Sequence, residues 1–452
     1  MKPDTHALHV GVAAVNIDNG PSGKADDPVG AKAIVFRQGE EAAALVVCDV
    51  INVVGEKSVR GRELAALQSG IPFDNICVSA THTHRFTTPP DDLPDRIASA
   101  VVQAGAAAVE VHLQVGKAFR DDLTFNRRFL MTDGMVMMNP GFLNPYIVRP
   151  VGPIDPEIGM VSFQRISDSV PFAALTTFSN HCDCLAPYDR RAEFPYWLER
   201  SLRQEFGQGF ISVFGVGCSE DINSADVSRP GRYGPGPQSA SMMVAYTARE
   251  TTASPSTLNA QTVGEALGET VRSHLPQLET ERPCLSVRSQ IVDCPLATYS
   301  EMDLAWAREA AKREDNSFLT GYRARRILDL EGLRHRYGEY LPIQIQAIRL
   351  SEGTALVTLP GEVFVEHGLA IKHASPFANT FVIELSNDRE KIASIPLRKS
   401  FCEGGYEIIY SRLECGSGEM LVAAALGMLR QLRVTNIHMP EPTSHVCMPQ
   451  SR

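Results

Sequence analysis

Two histidines separated by one residue lie at the end of a predicted strand, a position that suits a metal site. His82 and His84 follow the apolar run 76–78, which predicts a buried strand that ends just before them. Side chains at positions i and i+2 of an extended segment point the same way, so the two imidazoles should converge. Neutral imidazole nitrogens are common zinc ligands, and the pair therefore indicates a candidate zinc site. The alternative is a histidine pair that is merely solvated or capped. Further candidate ligands elsewhere in the chain are needed to favour the metal site over it.

Polar and reactive residues also gather after two later strands. His181 comes where the predicted strand 173–178 ends, and the polar turn 217–223 follows the predicted strand 210–216. Open α/β sheets place their ligands at the carboxyl ends of strands. His181 is therefore a second candidate metal ligand.

Three further segments contribute candidate groups. Glu362 follows the apolar strand 354–359 and is predicted in the first turn of a helix, where the helix dipole alone would favour a glutamate. Arg127 and Arg128 could hold a carboxylate or a developing oxyanion, with a solvated or ion-paired couple as the alternative. Two glycines directly before Tyr406 allow the backbone to approach another group closely.

The composition narrows the class of protein. The chain has 452 residues, a formal net charge of -10 and no dense basic cluster, so neither a nucleic acid nor an anionic membrane is expected as a partner. The first residues carry no apolar stretch of signal-peptide length and no segment could span a bilayer, so a cytoplasmic protein is the simplest interpretation. Ten cysteines without framework spacing fit reduced thiols. The expected partner is a small molecule, and a homo-oligomer stays open.

Strands and helices alternate over residues 7–120, which predicts an α/β fold with mixed sheets and flanking helices, with α+β as the alternative. We expect one large catalytic domain over residues 1–432, with a charged helical insert at about 296–340 as a solvated outer layer. Residues 433–452 are expected to form a peripheral tail. A long loop rich in Asn and Pro is predicted across 121–165.

Several of these segments match one family in the same order. The chain resembles the N-terminal catalytic domain of the neutral/alkaline non-lysosomal ceramidases, which are zinc amidases. The resemblance extends over about residues 8–432. The matching segments are 80–84, 126–127, 180–181, 217–223, 359–362 and 404–407.

The resemblance implies a ligand set for one zinc ion. By motif match the ligands are His82, His181, Glu362 and Tyr406. A mixture of nitrogen and oxygen ligands with an open water position is plausible for a catalytic zinc. The tyrosine is an unusual zinc ligand, and only the resemblance indicates it.

The resemblance also implies two residues that act on the substrate. His84 matches a histidine that contacts the substrate or shuttles protons, and Arg127 matches an arginine of the substrate pocket.

The chain departs from the family at places that bear on specificity. Asn223 stands where the ceramide-cleaving members have a serine after a Gly-Asp pair, and Arg85 follows the histidine pair where they have small residues. The chain also stops where family members usually add an immunoglobulin-like domain. These departures favour the scaffold and metal site without the ceramide specificity, and a smaller, more polar amide as the substrate.

We therefore expect a zinc-dependent hydrolase in which a water activated by the metal attacks an amide carbonyl. His84 would donate or relay a proton, and Arg127 or Asn223 would steady the substrate or the oxyanion. Asp221 is the group expected to take the proton of the water.

Three other functions fit the same residues. An esterase or lactonase would use the same site through a similar tetrahedral intermediate. A metal-binding or ligand-binding relative without catalysis is the second alternative. The third is a cysteine hydrolase in which Cys218, at a sharp turn after a strand, is the nucleophile and His84 its base.

Overall fold

The apolar runs of the sequence form strands that are mostly buried on both faces, and the segments between them form helices. The structure is a computed structural model that describes residues 7–18, 28–141, 143–184, 192–224, 226–228, 259–313 and 317–434. The strands of these residues are β1 (His9–Asn16), β2 (Gly30–Gln38), β3 (Glu41–Cys48), β4 (Ile76–Ala80), β5 (Val109–Phe119), β6 (Phe125–Asn126), β7 (Arg128–Met131), β8 (Val136–Met138), β9 (Ile147–Pro150), β10 (Glu157–Arg165), β11 (Pro171–Phe178), β12 (Ile211–Val216), β13 (Ile222–Asn223), β14 (Glu279–Glu281), β15 (Pro283–Pro295), β16 (Tyr340–Ser351), β17 (Thr354–Thr358), β18 (Glu362–Val363), β19 (Asn379–Ile383) and β20 (Ser394–Ile395).

The helices lie between and after these strands. They are α1 (Glu56–Ser69), α2 (Leu93–Ala106), α3 (Phe194–Phe206), α4 (Ala260–His274), α5 (Glu301–Ala310), α6 (Phe318–Tyr337), α7 (Val365–Ala374), α8 (Ser400–Glu403), α9 (Tyr406–Tyr410) and α10 (Ser417–Val434).

Two large sheets contain three parallel strand pairs. The first sheet has the order β12-β11-β10-β5-β1-β2-β3-β4, with β14 also paired to β5, and the second has the order β15-β16-β17-β19. Most neighbours are antiparallel, but β3–β4, β11–β12 and β17–β19 are parallel. A parallel pair needs a crossover connection, and α1, α3 and α7 supply the three crossovers.

The two sheets pack face to face, with helices on their outer sides. Val10 and Leu45 of the first sheet share one apolar core with Leu356 and Phe381 of the second. Gly159 lies at this interface, where an added Cβ would stand 2.3 Å from the ring of Phe381. Helices α1 and α2 cover β1–β4, α3 and α4 cover β10–β12, and α6, α7 and α10 cover the second sheet. Mixed sheets with flanking helices in one domain are the fold class that the sequence predicted, and that prediction is confirmed.

Two local predictions are wrong. Glu362 does not begin a helix, because its segment pairs with β20 as the short strand β18 and α7 begins only at Val365. The loop predicted across 121–165 contains a small sheet in the order β8-β7-β9, and β10 belongs to the first large sheet. In both places backbone pairing with distant segments overrides the local turn signals.

The insert predicted at 296–340 contains α5 and α6. Its inner face is not solvated, because Leu330 and Leu333 of α6 belong to the core of the second sheet. The predicted tail 433–452 lies, beyond Val434, outside the described residues. Among the described helices, none has both the length and the hydrophobicity that crossing a membrane requires.

Candidate metal centre

The carboxyl ends of the parallel strands bring the candidate metal ligands together. His82 follows β4, His181 follows β11, and Glu362 follows β17. The Glu362 Oε2 atom lies 3.3 Å from His82 Nε2 and 3.8 Å from His181 Nε2. Three crossover units, far apart in the sequence, thus deliver one side chain each to a common point.

The histidine pair meets this point through an unusual backbone conformation. His82 has a φ of 62°, which is left-handed rather than extended, so the convergence expected from a strand is achieved differently. Its Nε2 atom lies 3.3 Å from His84 Nε2, and its ring centroid lies 4.7 Å from that of His181. The backbone N–H of His84 donates to the carbonyl of Cys182 at 3.0 Å, which fixes the turn against the segment that carries His181.

A hydrogen bond sets the orientation of His82. Its Nδ1 atom lies 2.8 Å from the carbonyl oxygen of Ile51. Because a carbonyl can only accept, Nδ1 must carry the proton and Nε2 presents its lone pair to the cluster. This is the arrangement that metal-binding histidines use to fix their tautomer.

A second carboxylate joins the group. Glu220, in the turn after β12, offers an oxygen within 4.8 Å of ligand atoms of His181 and Glu362, and the three histidines form a group within the same limit. Glu220 was not among the residues selected from the sequence. Its position two residues after Cys218 in a polar turn at a strand end was the only signal that could have found it.

The spacing of the donor atoms fits a metal ion. Ligand atoms bound about 2.0–2.1 Å from a tetrahedral zinc lie about 3.3 Å from one another. The His82–His84 and His82–Glu362 contacts are both 3.3 Å. The Nδ1 atom of His181 is buried and has no hydrogen-bond partner among the described residues.

The electrostatics of the cluster keep two of the imidazoles neutral. Burial and the neighbouring His82 lower the pKa of His84 to about 3. Burial and the guanidinium of Arg127 hold the pKa of His181 well below its usual value. Burial would also lower the pKa of His82, but Glu362 outweighs it and raises the pKa. A proton and a metal cation compete for a carboxylate–imidazole contact of this kind.

Arg127 is a buried side chain that contacts several residues beside the cluster. Its side chain is 2% exposed, and its Nε atom pairs with Glu407 at 3.1 Å. Its Nη2 atom lies 3.2 Å from Glu220 and its Nη1 atom 3.3 Å from His181 Nε2. The guanidinium therefore braces two members of the cluster, rather than standing open in a pocket.

Arg128 fixes the segment that carries Tyr406. It pairs with Glu403 at 3.0 Å and with Glu407 at 3.2 Å, and it donates to the carbonyl of Gly404 at 2.8 Å. Gly405, with a φ of 106°, then turns the chain into α9. The two arginines are ion-paired inside the protein and are not a solvated pair.

Tyr406 lies beside the two carboxylates of the cluster, inside an aromatic group. Its ring stacks on Tyr410 with centroids 5.5 Å apart, and Tyr322 of α6 meets it edge-on at 5.6 Å. Burial, Glu220 and Glu362 raise the pKa of the Tyr406 phenol well above its usual value. The helical insert thus contributes an aromatic side chain next to the candidate centre.

Both carboxylate oxygens of Asp221, the residue expected to take the proton of the water, accept hydrogen bonds within the protein. Its Oδ1 atom accepts from the backbone N–H of Val365 at 2.8 Å, and its Oδ2 atom accepts from Asn126 Nδ2 at 2.8 Å. Burial raises the pKa of Asp221 to about 6, although these bonds oppose the shift. Glu220, rather than Asp221, is the carboxylate of this turn that meets the histidines, and Asp221 ties the turn to the start of α7.

The other residues of interest are buried. Asn223 donates to Asn139 Oδ1 at 2.9 Å in a fully buried contact. Arg85, which follows the histidine pair, is 7% exposed and therefore buried rather than open to solvent. Cys218 belongs to the core of the second sheet, and burial raises the pKa of its thiol well above the usual value, which disfavours a nucleophilic thiolate.

Comparison with known proteins identifies the fold. The structure is similar to that of neutral ceramidase from Pseudomonas aeruginosa, with a TM-score of 0.66 and 14% identity, over 95% of this chain and 76% of that one. A structure described as ceramidase complexed with C2 is similar over 94% of this chain and 75% of that one, with a TM-score of 0.64 and 14% identity. Neither a protein-family model nor a curated protein matches the sequence. The chain thus has a ceramidase-like fold, as its motifs implied.

Proposed function

We propose that this protein is a zinc-dependent hydrolase that cleaves an amide bond in a small polar substrate. The observation that carries the proposal is the meeting of three imidazoles and two carboxylates at the ends of parallel strands. Structural metal sites fill their shell with protein ligands, whereas a hydrolase needs acid–base groups beside the ligands. His84 provides such a group at 3.3 Å from His82. The ceramidase-like fold adds support, because the two similar solved structures are named ceramidases, and a ceramidase is an enzyme that cleaves an amide bond.

In this proposal His82, His181, Glu362 and Tyr406 hold the metal. When bound there, zinc acts as a Lewis acid that makes water nucleophilic near neutral pH and polarises the carbonyl of the substrate. The hydrogen bond from His82 to Ile51 keeps the Nε2 lone pair directed at this position. Glu362 supplies the negative charge that favours a divalent cation between the imidazoles.

His84 is the proton carrier. Its imidazole is neutral at pH 7 because burial and His82 lower its pKa to about 3. Nε2 is the atom through which this imidazole would take up a proton as the nucleophile attacks, and the lowered pKa makes the protonated form a strong donor to the leaving nitrogen. Arg127 is a positioning residue in this scheme, because its contacts with Glu220 and His181 are internal to the protein.

The surroundings of the cluster support a polar substrate. Partly exposed phenols lie next to it, from Tyr406, Tyr410 and Tyr322. These groups offer hydrogen bonds and flat aromatic faces, whereas a ceramide needs room for two aliphatic chains. Arg85 and Asn223 do not contribute to this polar lining, because both are buried.

The test combines metal content with a substrate panel. Purified protein should contain about one zinc per chain, and the double variant His82→Ala, His181→Ala should lose most of it, because a catalytic site has few ligands to spare. His112→Ala is the matched control, since His112 is exposed on β5. Full zinc occupancy in the double variant would exclude this ligand assignment.

The panel should contain N-acylated amino acids, N-acylated amino sugars, a short-chain ceramide and an ester matched to each amide. Chelator-sensitive hydrolysis of the polar amides above the ceramide and the esters is the expected result. Faster cleavage of the matched esters would make the protein an esterase, and faster cleavage of ceramide would overturn the substrate assignment. A zinc-loaded protein that cleaves none of these compounds would favour a metal-binding protein without catalysis.

A further inference from the structure

We infer that Glu220 is a further ligand of the metal, so that the centre holds one divalent cation with two carboxylates as well as histidines. This inference rests on the proposed metal site. The oxygen of Glu220 lies within 4.8 Å of ligand atoms of both His181 and Glu362.

The backbone fixes Glu220 beside Glu362. Its N–H donates to the carbonyl of Val363 at 3.1 Å, which aligns the turn after β12 with the strand that carries Glu362. The residues on both sides of Glu220 are anchored as well. Ser219 Oγ donates to Glu384 at 2.6 Å, and Asp221 accepts from the first N–H of α7 at 2.8 Å. A slight rotation of this turn cannot take the Glu220 side chain away from the cluster.

The carboxylate of Glu220 faces the carboxylate of Glu362 and receives no hydrogen bond from an N–H or hydroxyl group of the described residues. The side chain is fully buried, and neither oxygen accepts a hydrogen bond from a described residue. Arg127 Nη2 lies 3.2 Å away, but this contact lacks the alignment of a hydrogen bond. Burying an ionised carboxylate without hydrogen bonds is costly, so a native site normally supplies a partner.

The charges around Glu220 point to a cation as that partner. Three buried carboxylates are shared between two guanidiniums, and Arg128 contacts only the far end of this group. The carboxylates belong to Glu220, Glu362 and Glu407, and the guanidiniums to Arg127 and Arg128. Two guanidiniums cannot compensate three ionised carboxylates, so the end where the histidines lie must take up a proton or a cation. A divalent cation that touches both Glu220 and Glu362 removes this deficit, and it satisfies the free oxygens.

The inference changes the expected coordination. Glu220 added to His82, His181, Glu362 and Tyr406 makes five protein ligands, more than a tetrahedral shell accepts, so the metal should have five or more ligands. Cobalt(II) reports this directly, because tetrahedral cobalt absorbs visible light much more strongly than five- or six-coordinate cobalt. The cobalt-substituted protein should therefore absorb weakly, and loss of the Glu220 ligand should increase the absorption.

The experiment compares three variants with the wild-type chain. Glu220→Gln removes the charge and keeps the shape, and Glu220→Asp keeps the charge and withdraws the carboxylate. Glu407→Gln is the matched control, because Glu407 is equally buried and also pairs with Arg127, at 3.1 Å. Zinc affinity is measured by competition with a chromophoric chelator, and folding of each metal-free variant is checked by circular dichroism.

Both Glu220 variants should bind zinc at least about 10-fold more weakly, since even outer-shell partners of a metal site cost 10–100-fold. The Glu407→Gln control should lose less than about 3-fold, and only the Glu220 variants should change the cobalt spectrum. If Glu220→Gln does not fold, Glu220→Asp decides the question by itself.

Three results would overturn the inference. They are wild-type affinity in Glu220→Asp, an unchanged cobalt spectrum in both Glu220 variants, or an equal loss of affinity in Glu407→Gln. Each would mean that Glu220 acts through charge alone or shares a proton with Glu362. Zinc binding that depends on His82 and His181 but not on Glu220 would leave the proposed function standing. A wild-type chain that binds no divalent cation would overturn both.

Discussion

Replacing Asp388 with asparagine should alter how the stability of the protein depends on pH. Asp388 holds the loop that supports Glu362. Its carboxylate accepts from the backbone N–H groups of Glu390 at 3.1 Å and Ile392 at 3.0 Å. The next residue, Ala393, accepts the backbone N–H of Glu362 at 2.9 Å. An asparagine keeps one acceptor oxygen for these bonds but cannot ionise.

The size and the sign of the effect follow from the environment of Asp388. Burial raises the pKa of this carboxyl from 3.8 to about 6, against the opposing effect of the backbone N–H groups. The folded protein therefore keeps a proton that the unfolded chain has already released. The stability that this group contributes is complete below about pH 4 and is lost as the pH rises through about 6. A shift of about two pKa units is worth about 3 kcal/mol, of which about 2 kcal/mol falls between about pH 4 and pH 7.5.

Urea unfolding of the wild-type and Asp388→Asn proteins in the same series of buffers measures this effect. The other titrating groups cancel in the difference between the two proteins, so the series isolates Asp388. The variant should gain about 2 kcal/mol relative to the wild type on going from acid to neutral pH. A difference in unfolding free energy that stays constant within about 0.5 kcal/mol, or changes in the opposite direction, would refute the reasoning.

Four further predictions concern single positions. His84→Ala should keep the metal and lose about 10²-fold or more in turnover; loss of zinc instead would mean that His84 is a ligand. Gly418→Ala should lower the unfolding free energy by about 1–3 kcal/mol, because the new Cβ would stand 2.2 Å from His367 Nε2. Gly427→Ala in the same helix meets nothing within 4 Å and should raise it by about 0.5–1 kcal/mol. Lys391 is exposed with a φ of 53°, so Lys391→Gly should be more stable than Lys391→Ala by about 1 kcal/mol in urea unfolding, the reverse of the usual order.

The strand ends were the predictable part of the site. Apolar runs followed by polar residues at 82, 181 and 362 are visible in the sequence, and the carboxyl ends of parallel strands must lie at one edge of a sheet. The sequence does not show that these ends come from two sheets packed face to face. That packing depends on contacts between distant segments, such as Gly159 against Phe381. The class of fold could therefore be predicted, but the layering could not.

The choice between neighbouring residues could not be made from the sequence. Glu220 and Asp221 are adjacent carboxylates in the same turn, and both are buried. The backbone bond from Glu220 to Val363 and the bonds from Val365 and Asn126 to Asp221 decide which one faces the histidines. These partners lie in distant segments, so no local pattern specifies them. Tyr322 could not be predicted from the sequence either, because it lies next to Tyr406 only through the packing of α6 against α9.

Backbone strain is concentrated around the candidate centre, and the surrounding contacts explain how it persists. His82 and four residues of the segment 385–393 have left-handed φ values without being glycine. Each such residue costs about 1 kcal/mol or more, so the conformations survive only where the neighbours fix them. Asn387 is an example, because it exchanges hydrogen bonds with the backbone of Val78 through its own N–H and its Oδ1 atom, at 2.7 and 2.9 Å. This exchange ties the loop that supports Glu362 to the strand that carries His82. The two sides of the centre are therefore held in register by the fold itself, before any substrate binds.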